Sequence, residues 1–178
     1  MRSRYKFEDG RGLYFLTSSI IEFIPVFTIK KHCQIITDSF EYCRNNKEVE
    51  VVAYVIIPNH FQVLIYSEGL STKMRSIKRH TTKQIIILAK NHQKAWLLNQ
   101  FQYYKKDYKT NISHQVWKEG SHPQLMQNLD MVEQNINYIH HNPFRNGLVQ
   151  KPKDWVYSSA NNYAINEGII KINKIEDF

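Results

Sequence analysis

His60-Phe61-Gln62 sets an imidazole and a carboxamide at alternate positions of an apolar run, Ala53-Tyr-Val-Ile-Ile-Pro-Asn-His60-Phe61-Gln62-Val-Leu-Ile65. Side chains of an extended chain alternate faces, so His60 and Gln62 project on one side, a pleat apart. Packing alone would ask for Val or Ile there. Both residues are instead ligand types for a divalent metal, and together they make half a site. The chemistry depends on what stands opposite, and the candidate is Tyr138 in Tyr138-Ile-His-His-Asn142-Pro143. In a helix, residues four apart stack, which puts Asn142 beside Tyr138. His141 competes for that position, and His140 points more nearly away. A phenol is a weak nucleophile at neutral pH. It attacks a phosphodiester well when the phosphate is polarised and held in line, as a divalent metal does. A tyrosine facing a His/Gln metal site is thus a coherent phosphotransesterification device.

The surrounding pattern must supply a strand and a helix that face each other. Residues 49–57 and 60–66 read as two apolar strands joined at Pro58-Asn59, since Pro58 cannot continue a central strand. A first strand is expected over residues 13–18, entered through Gly10 and Gly12. Ile29, Cys33, Ile36, Phe40 and Cys43 recur at helical spacing, which predicts a helix over residues 28–45. A second helix starts at Ser71, with Met74, Ile77, Ile85 and Leu88 inward. Lys73, Arg75, Lys78, Arg79 and Lys83 point outward, as a solvated face or as a grip on phosphates. Residues 91–107 can extend it, with Trp96, Leu97 and Phe101 packing. There Lys105, Lys106 and Lys109 interleave with Tyr103, Tyr104 and Tyr108, a pattern suited to backbone contact plus base stacking. Residues 115–123 read as a strand into a turn. Asp130 and Glu133 resemble a capping box for a helix over residues 131–141, which Asn142-Pro143 ends. Val132, Ile136 and Ile139 form its apolar stripe, and Tyr138 lies off that stripe. Residues 155–163 read as a short turn or helix, and 168–178 as a last strand or a loose end.

The 178 residues, 42% hydrophobic, fit one domain, 1–178, with residues 164–178 as a C-terminal tail. A net charge of +8 favours a polyanionic partner, and nucleic acid over a membrane surface, because no basic amphipathic anchor stands out. No apolar run is long enough to span a bilayer, and the N-terminus lacks the apolar core of a signal peptide. Cys33 and Cys43 sit ten residues apart on one predicted helix, too far to bridge, and read as reduced core residues of a cytoplasmic protein. His32, His80, His92 and His114 have no partner pattern and are read as surface residues. His122 sits in a polar turn, at the surface or at the edge of a site.

Taken together, several motifs make the chain resemble the single-tyrosine HUH transposases, most closely the REP-associated tyrosine transposases. They are Tyr54-Val-Ile-Ile-Pro-Asn-His60, Val116-Trp117-Lys-Glu-Gly, Asn137-Tyr138-Ile-His-His-Asn142-Pro143-Phe-Arg-Asn-Gly147 and Trp155-Val-Tyr-Ser-Ser159-Ala. The resemblance implies an α+β fold, a ferredoxin-like or RRM-like antiparallel sheet with helices packed on it. It implies cleavage of single-stranded DNA next to hairpins or palindromic repeats, in the bacterial cytoplasm at the nucleoid. Tyr138 would form a 5′-phosphotyrosine link and release a 3′-hydroxyl. His60, Gln62 and Asn142 would hold Mg2+ or Mn2+. The family motif is His-hydrophobic-His, and Gln62 departs from it as a neutral oxygen ligand. Lys73, Arg75, Lys78, Arg79, Lys83, Lys105, Lys106 and Arg145 are the expected DNA contacts. Family members act singly or as pairs, so a homodimer is left open. The alternatives are a catalytically inactive protein that binds DNA hairpins on the same fold, and an RNA-binding module of RRM-like shape.

Overall fold

The computed structural model describes residues 10–120 and 122–175. The N-terminal segment before Gly10 and the last three positions of the predicted tail lie outside them. The chain order is β1 (Gly12–Ser19), α1 (Lys30–Asn46), β2 (Glu50–Ile57), β3 (His60–Ser67), α2 (Leu70–Asn91), α3 (Ala95–Tyr103), β4 (Gln124–Leu125), α4 (Leu129–Arg145) and α5 (Ala160–Ile165). The sheet order is β2-β3-β1-β4, with antiparallel neighbours throughout. That is the strand order of a ferredoxin-like α+β sheet, as expected. Among the described residues no helix is long and apolar enough to cross a membrane.

Strand composition follows how each strand is covered. β2 is buried along nearly its whole length, and its sequence, EVVAYVII, is continuously apolar because both of its faces are packed. β1 alternates buried and half-exposed positions, as its sequence GLYFLTSS does. Tyr14 and Leu16 face the core under α1 and α2, together with Phe40, Phe61, Met74 and Ile85. The opposite face packs Val55 and Leu64 against Val132, Ile136 and Ile139 of α4. The helix therefore covers β2 and β3 and leaves the outer face of β1 open.

α4 differs from its expected bounds at both ends. Its cap is Asn128, whose Oδ1 accepts the Met131 amide at 2.9 Å. Asp130 falls inside the first turn, where a negative charge suits the helix dipole. The helix also runs through Pro143 and stops at Gly147. There Leu148 N donates to Pro143 O and Gly147 N donates to Phe144 O, a Schellman closure around a glycine at φ +69°. Pro143 removes one donor and crowds the preceding turn, yet the bonds that close the helix form one turn later.

Other departures share the same kind of cause. Residues 92–94 break the long helix, and α3 restarts with Leu97 and Phe101 inward, which turns Trp96 out to 60% exposure. His32 is buried, with Nδ1 2.6 Å from Val26 O. Residues 115–123 make one bridge, Ile20 to Trp117, rather than a strand. Both cysteines are free and buried. Residues 155–159 close the edge of β2: Ile56 N donates to Tyr157 O, and Ser159 N donates to Tyr54 O. Within residues 166–175, Ile170 is buried and Asn173 N donates to Val51 O of β2.

His140 points away from Tyr138, as expected, and into this edge. Its Nε2 lies 2.9 Å from Ser159 Oγ, and its ring packs on Tyr163. Burial, with a smaller contribution from His141, pushes its pKa down to about 4. The folded protein thus resists a proton that the unfolded chain accepts below its ordinary value of 6.5. The stability held above pH 6.5 is lost as pH falls toward 4, by on the order of 3 kcal/mol. Urea titrations across that window will show a shallower loss in His140→Gln, by up to about 1.4 kcal/mol per pH unit. Parallel curves would assign the acid sensitivity elsewhere.

Candidate active site

β3 begins directly after the Pro58-Asn59 turn, and both turn carbonyls are used. Phe27 N donates to Pro58 O and Ile20 N donates to Asn59 O, at 2.8 and 2.9 Å. The turn is thereby pinned to the segment that follows β1. Ser19 pairs with His60 and Thr17 with Gln62, so all four side chains share the face of the sheet that carries α4. His60 Nδ1 lies 2.8 Å from Asn59 Oδ1. With the Asn59 oxygen turned to the ring, Nδ1 carries the proton and a neutral ring keeps its lone pair on Nε2. Burial holds the His60 imidazole below its ordinary pKa, which favours that neutral form.

Gln62 and Asn142 are 4% and 5% exposed and meet across the sheet–helix interface. Asn142 Nδ2 donates to Gln62 Oε1 at 2.8 Å. Asn146 Nδ2 donates to Asn142 Oδ1 at 2.7 Å and to the Asn142 main-chain carbonyl at 2.9 Å. That carbonyl can only accept, so it fixes which end of Asn146 is nitrogen. The amide of Asn146 then fixes Asn142, and Asn142 fixes Gln62. One unambiguous acceptor orients three carboxamides.

Tyr138 stands one turn before Asn142, about 6 Å along the helix axis. It is 42% exposed. The Phe15 ring meets it edge-on at 6.2 Å, and the Arg145 guanidinium lies 5.3 Å from its ring centroid. Gln124, Gln134, Asn135, Asn137 and His141 line the recess around it. Gln124 also borders a second cavity of about 370 Å3 over Phe15, Thr17 and Ser19, walled by Glu119 and His122. The two make one trough along the uncovered face of β1.

The predicted cationic residues separate in space. Arg75, Lys78 and Arg79 line a groove between α2 and residues 109–120, with Lys109 and Lys118 on the opposite wall. Lys73 turns to the β3 end, where Nζ donates to Ser67 Oγ at 2.7 Å. Lys83 and Lys106 are exposed outside the groove, and Lys105 Nζ donates to Lys109 O within its own loop. Asn146, Gln124 and Lys118 were missed in the sequence. Asn146 continues the four-residue repeat of Tyr138 and Asn142, a signal hidden by ending the helix at Pro143. Gln124 and Lys118 gave no signal, because only the path of the chain along β1 brings them to the trough.

The donor set suits a hard divalent ion in kind, with one imidazole nitrogen and two carboxamide oxygens that each keep a second lone pair. Asn142 turns its NH2 toward Gln62, so offering its oxygen on that side requires a half-turn of the amide. Among the described residues, no group of three His, Cys, Asp or Glu is placed to hold a metal ion.

No family model and no curated protein matches the chain. Among solved structures, it is similar to a REP-associated tyrosine transposase bound to a REP hairpin. The TM-score is 0.65 at 18% identity, covering 98% of this chain and 93% of that one. A candidate transposase from Deinococcus radiodurans R1 aligns at 12% identity and a TM-score of 0.44, over 76% of this chain and 94% of that one. The first likeness defines the fold: this is an α+β chain folded as a REP-associated tyrosine transposase.

Because Gln62 and Asn142 are each other's partners in a dry interface, Gln62→Leu alone will cost about 1–3 kcal/mol. The double change Gln62→Leu/Asn142→Leu will cost clearly less than the sum of the two single ones. Additive losses in urea unfolding would show that the bond does not form in solution.

Proposed function

We propose that this protein is a transposase-type enzyme that cuts and rejoins single-stranded DNA beside hairpins through a covalent tyrosine–DNA intermediate. The single observation that carries the reading is the exposed Tyr138 phenol, one helical turn from Asn142, which bonds Gln62 on the strand that begins with His60. The net charge of +8 and the hairpin bound by the structural neighbour support DNA as the substrate. Such an enzyme works in the bacterial cytoplasm, at the nucleoid, as one domain with its C-terminal segment laid against β2.

Tyr138 Oη attacks the scissile phosphorus, and the P–O3′ bond breaks as the new O–P bond forms. The phenol proton is lost to solvent, and the departing 3′ oxygen takes one up. The 5′-phosphotyrosine keeps the ester energy, so attack by another 3′-hydroxyl reverses the step and joins DNA without ATP. Arg145 places its guanidinium beside the nucleophile, where a phosphate would sit. His60, Gln62 and Asn142 would hold Mg2+ or Mn2+, and the ion supplies charge that polarises the phosphate. The buried carboxamides keep their end of the site dry and fix its orientation.

A second reading keeps the fold and hairpin binding without cleavage. It is favoured by Gln62 standing in the second ligand position and by the Asn142 NH2 turned toward it. Denaturing gels separate the two. With tailed DNA hairpins and Mg2+ or Mn2+, the enzyme gives a protein–oligonucleotide adduct that disappears with EDTA and in Tyr138→Phe. Retarded DNA on native gels, with no adduct under either metal, would establish the second reading.

A further inference from the structure

Gln62, Asn142 and Asn146 form a row of three carboxamides with one arrangement in which every bond is made. Asn146 Nδ2 donates to Asn142 Oδ1 at 2.7 Å, and Asn142 Nδ2 donates to Gln62 Oε1 at 2.8 Å. The row is anchored at the Asn142 main-chain carbonyl, which accepts Asn146 N at 3.0 Å and Asn146 Nδ2 at 2.9 Å. Turning the Asn146 amide over would set its oxygen against that carbonyl, so its NH2 stays in place. Turning Asn142 over alone would bring two NH2 groups together at one end and two oxygens at the other. Two oxygens at that separation repel unless a cation lies between them. The arrangement in the structure is therefore the one that satisfies Gln62 and Asn142 with no ion present.

The two ends of the row differ in exposure. Gln62 and Asn142 are buried, whereas Asn146 is exposed. A bond given up at the buried end leaves a dry amide unpaired, at the cost of its desolvation. A bond given up at Asn146 is replaced by water. The row yields first at Asn146.

We propose that Asn146 is a positioning residue that holds Asn142 in its ion-free orientation. A hard divalent cation is then taken up at His60, Gln62 and Asn142 only as Asn146 lets go of Asn142 Oδ1 and the Asn142 amide makes a half-turn. This rests on the functional reading above and adds what sets the cost of loading the site. Asn146 is no ligand itself: its NH2 only donates toward Asn142, and its effect passes through that one amide.

The test is a Mn2+ titration, read by loss of the free-ion paramagnetic resonance signal. It compares the parent protein, Asn146→Ala, Asn142→Ala and the double variant. Asn146 is exposed, so its replacement leaves the packing intact. Asn146→Ala will bind Mn2+ roughly three- to tenfold more tightly than the parent, the worth of one hydrogen bond that no longer has to break. In the Asn142→Ala background the same change will do nothing, because no amide is left to hold. Side-chain amide NMR gives a second reading that does not depend on how well Asn142→Ala folds. Mg2+ will shift the Asn146 NH2 resonances of the parent protein, assigned by their loss in Asn146→Ala. Unchanged or weaker Mn2+ binding in Asn146→Ala would overturn the proposal, as would tightening that persists without Asn142. So would an Asn146 amide that ignores bound Mg2+, or no Mn2+ binding by any of the four proteins. A tyrosine adduct that still forms after such a result leaves the cleavage reading standing. Release of Asn146 on ion binding, with no adduct formed, sinks the cleavage reading and keeps the positioning role.

Discussion

The hydrogen bond between Asn142 and Gln62 joins the two halves of the site. It is the point where α4, which carries the phenol, is locked to β3, which carries the imidazole. Apolar packing of Val132, Ile136 and Ile139 on Val55 and Leu64 brings the helix to the sheet but leaves its sliding and rotation loosely set. A buried bond between two short amides does not tolerate such slippage, because each unpaired amide would cost its full desolvation. The position of Tyr138 follows, one turn up the same helix. The polarity of the bond comes from further along the chain, where the Asn142 carbonyl binds the amide of Asn146. The Schellman closure at Gly147 thus has a consequence at the site, since it holds Asn146 in the final turn.

Uneven cover over the sheet does the remaining work. α1 and α2 fill one face, while α4 on the other is placed over β2 and β3. The outer positions of β1 are left to Phe15, Thr17 and Ser19, each only partly buried. The chain returning past Trp117 borders this strip and delivers Lys118 and His122 to its rim. A trough forms because one strand has no helix above it. An additional helix over β1 would bury the same residues and close the approach to Tyr138.

Much of this was legible in the sequence wherever a period or a turn carried it. The β2–β3 hairpin and the shared face of His60 and Gln62 follow from alternation, and the place of Asn142 beside Tyr138 follows from four-residue helical spacing; the link of Asn142 to that strand came only from the family resemblance. What was not legible depended on competition between local signals and tertiary ones. Pro143 marks a helix end locally, yet the Schellman bonds around Gly147 carried the helix past it. His32 reads as a surface residue on an isolated helix, yet the segment before α1 folds back on it and its Nδ1 meets Val26 O in the interior. The lysines read as one basic face, yet Lys73 and Lys105 are bonded locally, while Lys109 and Lys118 reach the groove from a distant loop.

Where the motif of the family it resembles has a second imidazole, this chain has Gln62, and that changes what holds the candidate site together. An imidazole offers one nitrogen to a metal and the other to a partner, so its two duties fall on different atoms. Under the proposed function the Gln62 oxygen would serve both, and one of its lone pairs is already engaged by Asn142. Ligation and positioning would then compete for a single atom. In return, the bonds from Asn146 through Asn142 to Gln62 close without any ion, unlike a small metal-folded domain whose ligands order only on binding. The geometry around Tyr138 is then a property of the polypeptide itself, set by side chains that bond one another.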